Sequence, residues 1–239
     1  MNQIPLSGGK ASGATVRRQL TRKAVLHCAV EIADAGGLTA LTMRSLAQAL
    51  GVKPMSLYHH VANKEEILDG LVDLVFAEVD LPSAAGNWRA AMEQRGYSMR
   101  SALTRHPWSI GLLETRTTPG TANLQHHNAV LGVLRQAGFS VDGAGHAYAL
   151  LDSYIYGFAL QEAGLPVGGP ESDPEVMEAM MRSISEEELP YLAETAMERV
   201  MDPGYSFGAE FGFGLDLILD GLAALLDREL RNPAAGPGA

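Results

Sequence analysis

A short stretch between residues 42 and 64 carries the chemistry of a nucleic-acid contact. Thr42, Arg44, Lys53, Pro54, Met55, Ser56, Tyr58, His59, His60 and Lys64 all fall within it. Arginine and lysine meet phosphates, and arginine also meets the guanine edge. Serine, threonine and histidine hydrogen-bond to base edges or backbone, and methionine and tyrosine add apolar contact. Two of these residues also have local structural uses. Thr42 suits a helix N-cap, and Pro54 suits a first helical turn, where its missing N–H costs nothing. Val52, Leu57 and Val61 are placed to anchor the short segment that presents the others.

A second set is mostly apolar, with a few polar members. Met92, Arg95, Met99 and Leu103 recur at spacings of three and four, and Trp108, Leu112 and Leu113 follow. His127, Val130 and Leu134 form another such face, and Leu151, Tyr154, Ile155 and Phe158 a third. This is the composition of a small-molecule site, with methionines adding adaptability. It is equally the composition of a plain helical core, and spacing alone leaves both readings open. Arg95 is the informative member. Turned outward it is an ordinary surface arginine. Turned inward it needs an acidic partner or an anionic ligand, because an unpaired buried charge is costly.

Catalytic and metal chemistry find little support. The seven histidines show neither His-x-x-x-His nor His-Glu-x-x-His spacing, and adjacent pairs such as His59-His60 point in different directions on a helix. There is no Gly-x-Ser-x-Gly and no phosphate loop. The expectation is no metal and no cofactor. The one cysteine, Cys28, excludes an internal disulfide framework and reads as a small buried hydrophobe in a reducing compartment. Trp88, near a helix start, reads as packing.

The elements that must position these residues are helices. The first runs from about Thr21 to Ala35, with Leu26, Ala29, Val30 and Ala33 on one face and Gly36-Gly37 as its end. The second runs from Thr42 to Leu50, followed by the turn Leu50-Gly51-Val52-Lys53. The third runs from Lys53 to about His60. Asn63 then caps a fourth helix over 63–79, with Glu66 three residues on in the manner of a capping box. Three short helices with a tight turn before the third make a helix-turn-helix. Further helices are predicted near 87–106, 108–114, 118–137, 141–164, 185–201 and 206–231. Residues 165–184 read as a loop.

No apolar stretch approaches the roughly 20 residues of a membrane span, no secretion signal stands at the N-terminus, and no period-2 strand pattern appears. The chain has 239 residues and a net charge of −10, but that charge is split. Residues 1–64 hold eight Lys/Arg against two acids, whereas the remaining 175 residues hold ten against 26. This asymmetry suggests a polyanion-binding module joined to an acidic one. The predicted organisation is all-α. A flexible basic arm (1–20) leads into a helix-turn-helix domain (21–66). A helical ligand-binding and dimerisation domain (67–231) and a disordered tail (232–239) complete the chain.

The run Leu41-Thr42-Met43-Arg44-Ser45-Leu46-Ala47-Gln48-Ala49-Leu50-Gly51-Val52, followed by Ser56-Leu57-Tyr58-His59-His60-Val61-Ala62-Asn63-Lys64, resembles the DNA-binding signature of TetR-family transcriptional regulators. His59 departs from the aromatic pair usual at Tyr58 and the next position. Three further runs, Gln136-Ala137-Gly138-Phe139-Ser140, Tyr148-Ala149-Leu150 and Phe211 through Leu222, resemble the tetracycline-repressor type of C-terminal domain. The resemblance implies an all-helical homodimer. Its effector pocket would lie in the C-terminal core, and its last long helices would form a four-helix interface. The stripe Phe207, Phe211, Gly214, Leu215, Ile218, Leu222 and Leu225 is the expected dimer surface, with Gly208, Gly212 and Gly221 allowing close approach. Tetracycline repressors hold a metal-bound drug through a histidine just after the helix 87–106 region. Leu113 or Glu114 stands at that place, so the expected effector is neither metal-bound nor a tetracycline but apolar or aromatic.

The leading expectation is a cytoplasmic, ligand-responsive repressor on an inverted-repeat DNA operator. Two other classes remain open: an all-helical enzyme using the C-terminal cavity, and an architectural DNA-binding protein blind to ligands.

Overall fold

The structure is a computed structural model that describes residues 20–83, 85–113, 115–116, 118–165, 182–202 and 204–232. Most of the expected basic arm, loop 165–184 and tail therefore lie outside the described residues, as does Glu114.

The head is built from four helices: α1 (Arg22–Ala40), α2 (Met43–Ala49), α3 (Pro54–Leu57) and α4 (Lys64–Ala77). Thr21 caps α1, its hydroxyl accepting from the Ala24 amide at 3.1 Å. The helix does not stop at Gly36-Gly37 as expected. Gly37 takes φ 68°, ψ 178° and breaks the regular helix, but a further turn carries the chain to Ala40. Thr42 and Ser45 form a capping box at α2, the Thr42 hydroxyl accepting from the Ser45 amide at 3.0 Å. Gly51, at φ 66°, supplies the left-handed residue that the α2–α3 turn needs. α3 is shorter than expected, ending at Leu57, with turns through His60. Asn63 caps α4 by accepting from the Glu66 amide at 2.8 Å. Glu66 closes the motif one residue further back than in a regular capping box, on the Ala62 amide at 2.7 Å, and it also takes Arg22 of α1. These bonds hold its carboxyl below the usual carboxylate range.

The rest is also helical: α5 (Trp88–Arg105), α6 (Ile110–Leu113), α7 (Thr121–Ala137), α8 (Val141–Gly164), α9 (Pro190–Thr195) and α10 (Glu210–Arg231). A 3-10 turn at Pro107–Ser109 leads into α6, a π turn at Ala196–Val200 continues α9, and a 3-10 turn at Phe207–Ala209 starts α10. The helix expected over 185–201 thus starts only at Pro190, and its second half is wound as a π turn. No strand occurs among the described residues. α7 ends on Gly138 at φ 109°. Trp88 packs edge-on against Phe139, ring centroids 5.2 Å apart, as expected. Cys28 is only half-buried, against the core, rather than enclosed within it.

The apolar core is continuous from head to C-terminal part. The α4 stripe Ile67, Leu68, Leu71, Val72, Val75 and Phe76 is buried along its length, and α4 packs on α7 while α5 packs on α8. α10 lies against α5 and α8 through Phe211, Leu215, Leu219, Leu222 and Leu226. Each large apolar side chain fully withdrawn from water contributes about 1.5–3 kcal/mol. Gly214 is needed for that approach, because a β-carbon there would overlap the Tyr154 hydroxyl, which donates to the Phe211 carbonyl at 2.8 Å.

Candidate functional site

On the head, the short α3 is held from beneath by Leu57 and Val61, both buried, with Val52 packed against the same core. Its outer side is thereby left free. Met55 is 72% exposed, and Lys53, Pro54, Tyr58 and His59 are exposed beside it, with Ser56 and His60 half-buried. Thr42 and Arg44 are exposed at the start of α2, and Lys64 at the start of α4. Arg44, Lys53 and Lys64 have no carboxylate within ion-pair distance among the described residues, unlike Arg22, which Glu66 engages. The segment therefore presents unpaired cations and hydrogen-bonding groups around one protruding turn.

The core holds a different arrangement. Arg95 of α5 is 1% exposed and pairs with Asp152 of α8 through Nη2. Its Nε donates to Nε2 of His126 on α7 at 3.4 Å. The Tyr156 hydroxyl donates to the other Asp152 oxygen at 3.2 Å. Burial, and next the Arg95 charge, lower the His126 pKa to about 4, so the ring is neutral at physiological pH. Burial and the Asp152 charge push the Tyr148 and Tyr156 phenols up. The His127 ring stacks on Tyr148 at 3.8 Å, and the Arg95 guanidinium lies 5.7 Å from the Tyr148 ring centre.

The apolar candidates divide. Met99, Leu103, Val130, Leu134 and Leu151 are fully buried on the α5, α7 and α8 faces that also carry this polar cluster. Leu112 and Leu113 sit on α6 nearby in sequence, the first buried and the second half-buried. Trp108 instead belongs to the head–core junction. Its indole donates to Asp34 of α1 at 2.6 Å. Tyr154 and Phe158 turn toward α10, where Phe158 stacks on Phe207 at 4.7 Å and packs edge-on against Phe211. Two members of the cluster are new. His126, not its neighbour His127, shares the inner face of α7 with Val130, Val133 and Leu134, a spacing legible in the sequence. Asp152 stands as a lone acid inside an apolar run, which is also a readable signal.

The expected dimer stripe needs the same correction. Phe211, Leu215 and Leu222 are buried within the protomer at 0%, 1% and 4% exposure, and Gly214 faces Tyr154. Phe207, Ile218 and Leu225 are half-buried against that core. The large apolar side chains that α10 leaves uncovered are Phe213, Leu217 and, in its last turn, Leu230, at 67%, 58% and 60% exposure. Gly221 faces open space.

Besides the Trp108–Asp34 bond, further polar connections tie head to core among the described residues. Arg116 binds Glu65 at 2.7 Å and Asp69 at 2.6 Å, both on α4. These carboxylates hold the Arg116 pKa above its ordinary value. Asp73, one α4 turn further on, accepts from the Asn123 amide in the first turn of α7 at 3.1 Å. Positions 65, 69 and 73 thus form a carboxylate stripe along α4 that grips the start of α7 and the segment before it. At the far end of α4, His106 bridges Asp34 of α1, at 2.7 Å, and Glu78, at 3.2 Å. Burial opposes ionisation of Glu78, but hydrogen bonds from Arg105 and His106 outweigh it and hold the carboxyl below its usual range.

The family model of bacterial regulatory proteins of the tetR family matches residues 25–71. The model of the tetracyclin repressor-like C-terminal domain matches residues 81–226, well over half of the chain. The chain belongs to the TetR family of transcriptional regulators. It is 33% identical over 218 residues to the transcriptional repressor DrrR1 of Streptomyces coeruleorubidus, covering 87% of this chain and 78% of that one. The class A tetracycline repressor from transposon 1721 in Escherichia coli is 29% identical over 223 residues, covering 91% and 98%. Among solved structures, the TetR-family protein ActR of Streptomyces coelicolor in complex with actinorhodin superposes with a TM-score of 0.72 at 27% identity. That match covers 87% of this chain and 99% of ActR. As a TetR-family member the chain is a ligand-responsive, DNA-binding transcriptional regulator with an N-terminal helix-turn-helix and a helical C-terminal domain. Among the described residues no helix is long and apolar enough to cross a membrane.

Proposed function

We propose that this TetR-family chain is a cytoplasmic repressor. It binds an inverted-repeat operator as a homodimer and leaves it when a small apolar or aromatic effector enters the α5–α7–α8 core. The observation that carries the DNA-binding half is the set of unpaired, exposed cations around α3. In this reading Met55, Ser56, Tyr58 and His59 face base edges, and Thr42, Arg44, Lys53, Pro54, His60 and Lys64 contact the phosphate backbone or flank it. The relatives support the other half: DrrR1 and the class A protein are named repressors, and ActR is seen with a bound small molecule.

The dimer surface we assign is the outer side of α8 and α10, through Leu150, Leu160, Phe213 and Leu217, all exposed in the protomer. A two-fold pair would set the two α3 elements about 34–36 Å apart, in successive major grooves. Coupling runs through α4. The His126 ring packs 5.5 Å from Phe76, Asp73 holds the first turn of α7, and Glu65 and Asp69 hold Arg116 in the segment before it. An effector that shifts α7 against α5 therefore moves α4, and with it the head. Domain limits of 21–66 and 67–231 cut α4 after its first turn, so this helix is shared between the head and the effector module. The reading gives the chain no catalytic step.

The test is fluorescence anisotropy on DNA from immediately upstream of the chain's own gene, at two salt concentrations, against scrambled competitor. Salt-sensitive binding that survives the competitor, with a two-fold symmetric footprint, is expected. Equal competition by scrambled DNA would remove sequence-specific repression at that locus.

A further inference from the structure

His106 stands where α5 ends and the 3-10 turn begins, and its ring is a meeting point of head and core. The side chain is 8% exposed. Nδ1 lies 2.7 Å from Oδ1 of Asp34 on α1, and Nε2 lies 3.2 Å from Oε1 of Glu78 at the end of α4. A carboxylate only accepts, so both ring nitrogens must donate, and an imidazole with two N–H groups is the cation. Whichever nitrogen gave up its proton would turn a lone pair toward a carboxylate oxygen. Charge balance points the same way. Asp34 and Glu78 bring two negative charges, and Arg105, 2.7 Å from Oε2 of Glu78, brings one positive. The imidazolium completes the balance, and it stands at the negative end of the α5 dipole. α6 and α8 also pack on this turn, but no further charged group lies within ion-pair distance of the ring among the described residues. Oδ1 of Asp34 also accepts from the Trp108 indole at 2.6 Å. Loss of the ring proton would leave α1 tied to the core by that neutral donor and by apolar packing.

We infer that His106 is a positioning residue for operator binding: as an imidazolium it pins α1 to the core and presets the spacing of the two heads, and on losing its proton it lets them swing. This rests on the reading of the chain as a homodimer on an inverted repeat. In that reading the second head binds intramolecularly, so its contribution depends on how well the free dimer already holds the right spacing. The proton on His106 therefore strengthens binding to the complete repeat and leaves binding to one half-site unchanged.

Two measurements on the full chain test this. The Trp108 and His106 rings are 5.7 Å apart, and Trp88 is the other tryptophan. An imidazolium quenches indole emission. In Trp88→Phe the emission of Trp108 is expected to rise between about pH 6 and about pH 8.5, the range in which histidine changes charge. It should stay flat when His106→Gln is added. The second measurement is anisotropy without effector, on upstream DNA carrying the complete repeat and on the same DNA with one half scrambled. His59 and His60 on the DNA face add a pH dependence of their own, which His106→Gln retains, so parent and variant are compared at each pH. The ratio of complete-repeat to half-site affinity is expected to be about tenfold higher in the parent near pH 6, one charge-assisted hydrogen bond being the difference, and equal in the two near pH 8.5. Should His106→Gln fail to fold, Asp34→Asn keeps an acceptor for Trp108 and is expected to show a gap of the same sign. Flat emission from Trp108 in the parent background, equal ratios near pH 6, or a gap that persists near pH 8.5 would overturn the proton-dependent pin alone. A parent that binds the half-site as tightly as the complete repeat at both pH values would remove the dimeric reading, and the proposal with it.

Discussion

Arg44, Lys53 and Lys64 stand in water with no carboxylate within ion-pair distance among the described residues, whereas Arg95 is enclosed by α5, α7 and α8 and held by Asp152. The same kind of charge meets two environments with opposite demands. On the head, solvation is retained and the charge is available to a polyanion, whose counterions it displaces. In the core, solvation is lost and each remaining donor must find a protein or ligand acceptor. An unpaired cation therefore costs almost nothing outside and a great deal inside. The two regions can be told apart by what removing one partner does.

The largest effect is expected at Asp152. Asp152→Ala leaves the Arg95 guanidinium buried and unpaired, which costs about 3–5 kcal/mol. Urea unfolding should show it as a lowered midpoint with an unchanged slope. Adding Arg95→Met should recover most of the loss. A single-variant loss below about 1 kcal/mol would mean that water reaches the pair, and the contrast between core and head would fail.

Next is the pH dependence of His126. Its folded pKa of about 4 lies below the ordinary 6.5. The unfolded chain therefore binds more protons between those values, so stability rises with pH across that window. The contribution is complete above about pH 6.5 and is lost as pH falls toward 4, on the order of 3 kcal/mol in all. His126→Gln keeps an acceptor for Arg95 and cannot titrate. Its stability curve should be flatter between pH 6.5 and 4 than that of the parent. An identical slope would show the imidazole to be solvated.

A smaller effect sharpens the comparison at an intermediate site. Arg116 is mostly covered, but its partner Glu65 is largely exposed. Arg116→Ala should cost about 1 kcal/mol at low salt, and much of that should vanish at 1 M salt, where screening acts within about 3 Å. The loss on breaking Arg95–Asp152 should persist at the same salt. Equal salt sensitivity of the two would place them in the same dielectric environment.

Much of the head was legible because its signals are local. Thr42, Gly51, Pro54 and Asn63 each act within three residues of themselves, and the structure uses them for a cap, a left-handed turn, a first helical turn and a second cap. The core was legible only as faces. Helical spacing named Arg95, Val130 and Leu151, but the partner of Arg95 lies 57 residues away, and no periodicity pairs them. Spacing named His127, which stacks on Tyr148, but not His126, which receives Arg95 and lies one residue, or about 100°, around the helix. The α10 stripe failed for another reason. Phe211–Leu215–Leu222 and Phe213–Leu217 are two apolar faces of one helix, and the sequence does not say which is covered within the protomer. Their exposures decide it.

The smallest effect concerns Lys64, and its sign matters more than its size. It is the first residue of α4, capped by Asn63, at the end where the helix dipole is positive. A lysine there is locally unfavourable, and no carboxylate within ion-pair distance relieves it among the described residues. Lys64→Ala should therefore leave stability unchanged or raise it by a few tenths of a kcal/mol. If the side chain meets a phosphate, the same change weakens operator binding uniformly across sequences and lowers the slope of log affinity against log salt by about one. A local rule broken without structural compensation, and recovered only when DNA is present, is what a contact residue on the head should show. A loss of stability with an unchanged salt slope would move Lys64 from the DNA surface to the fold.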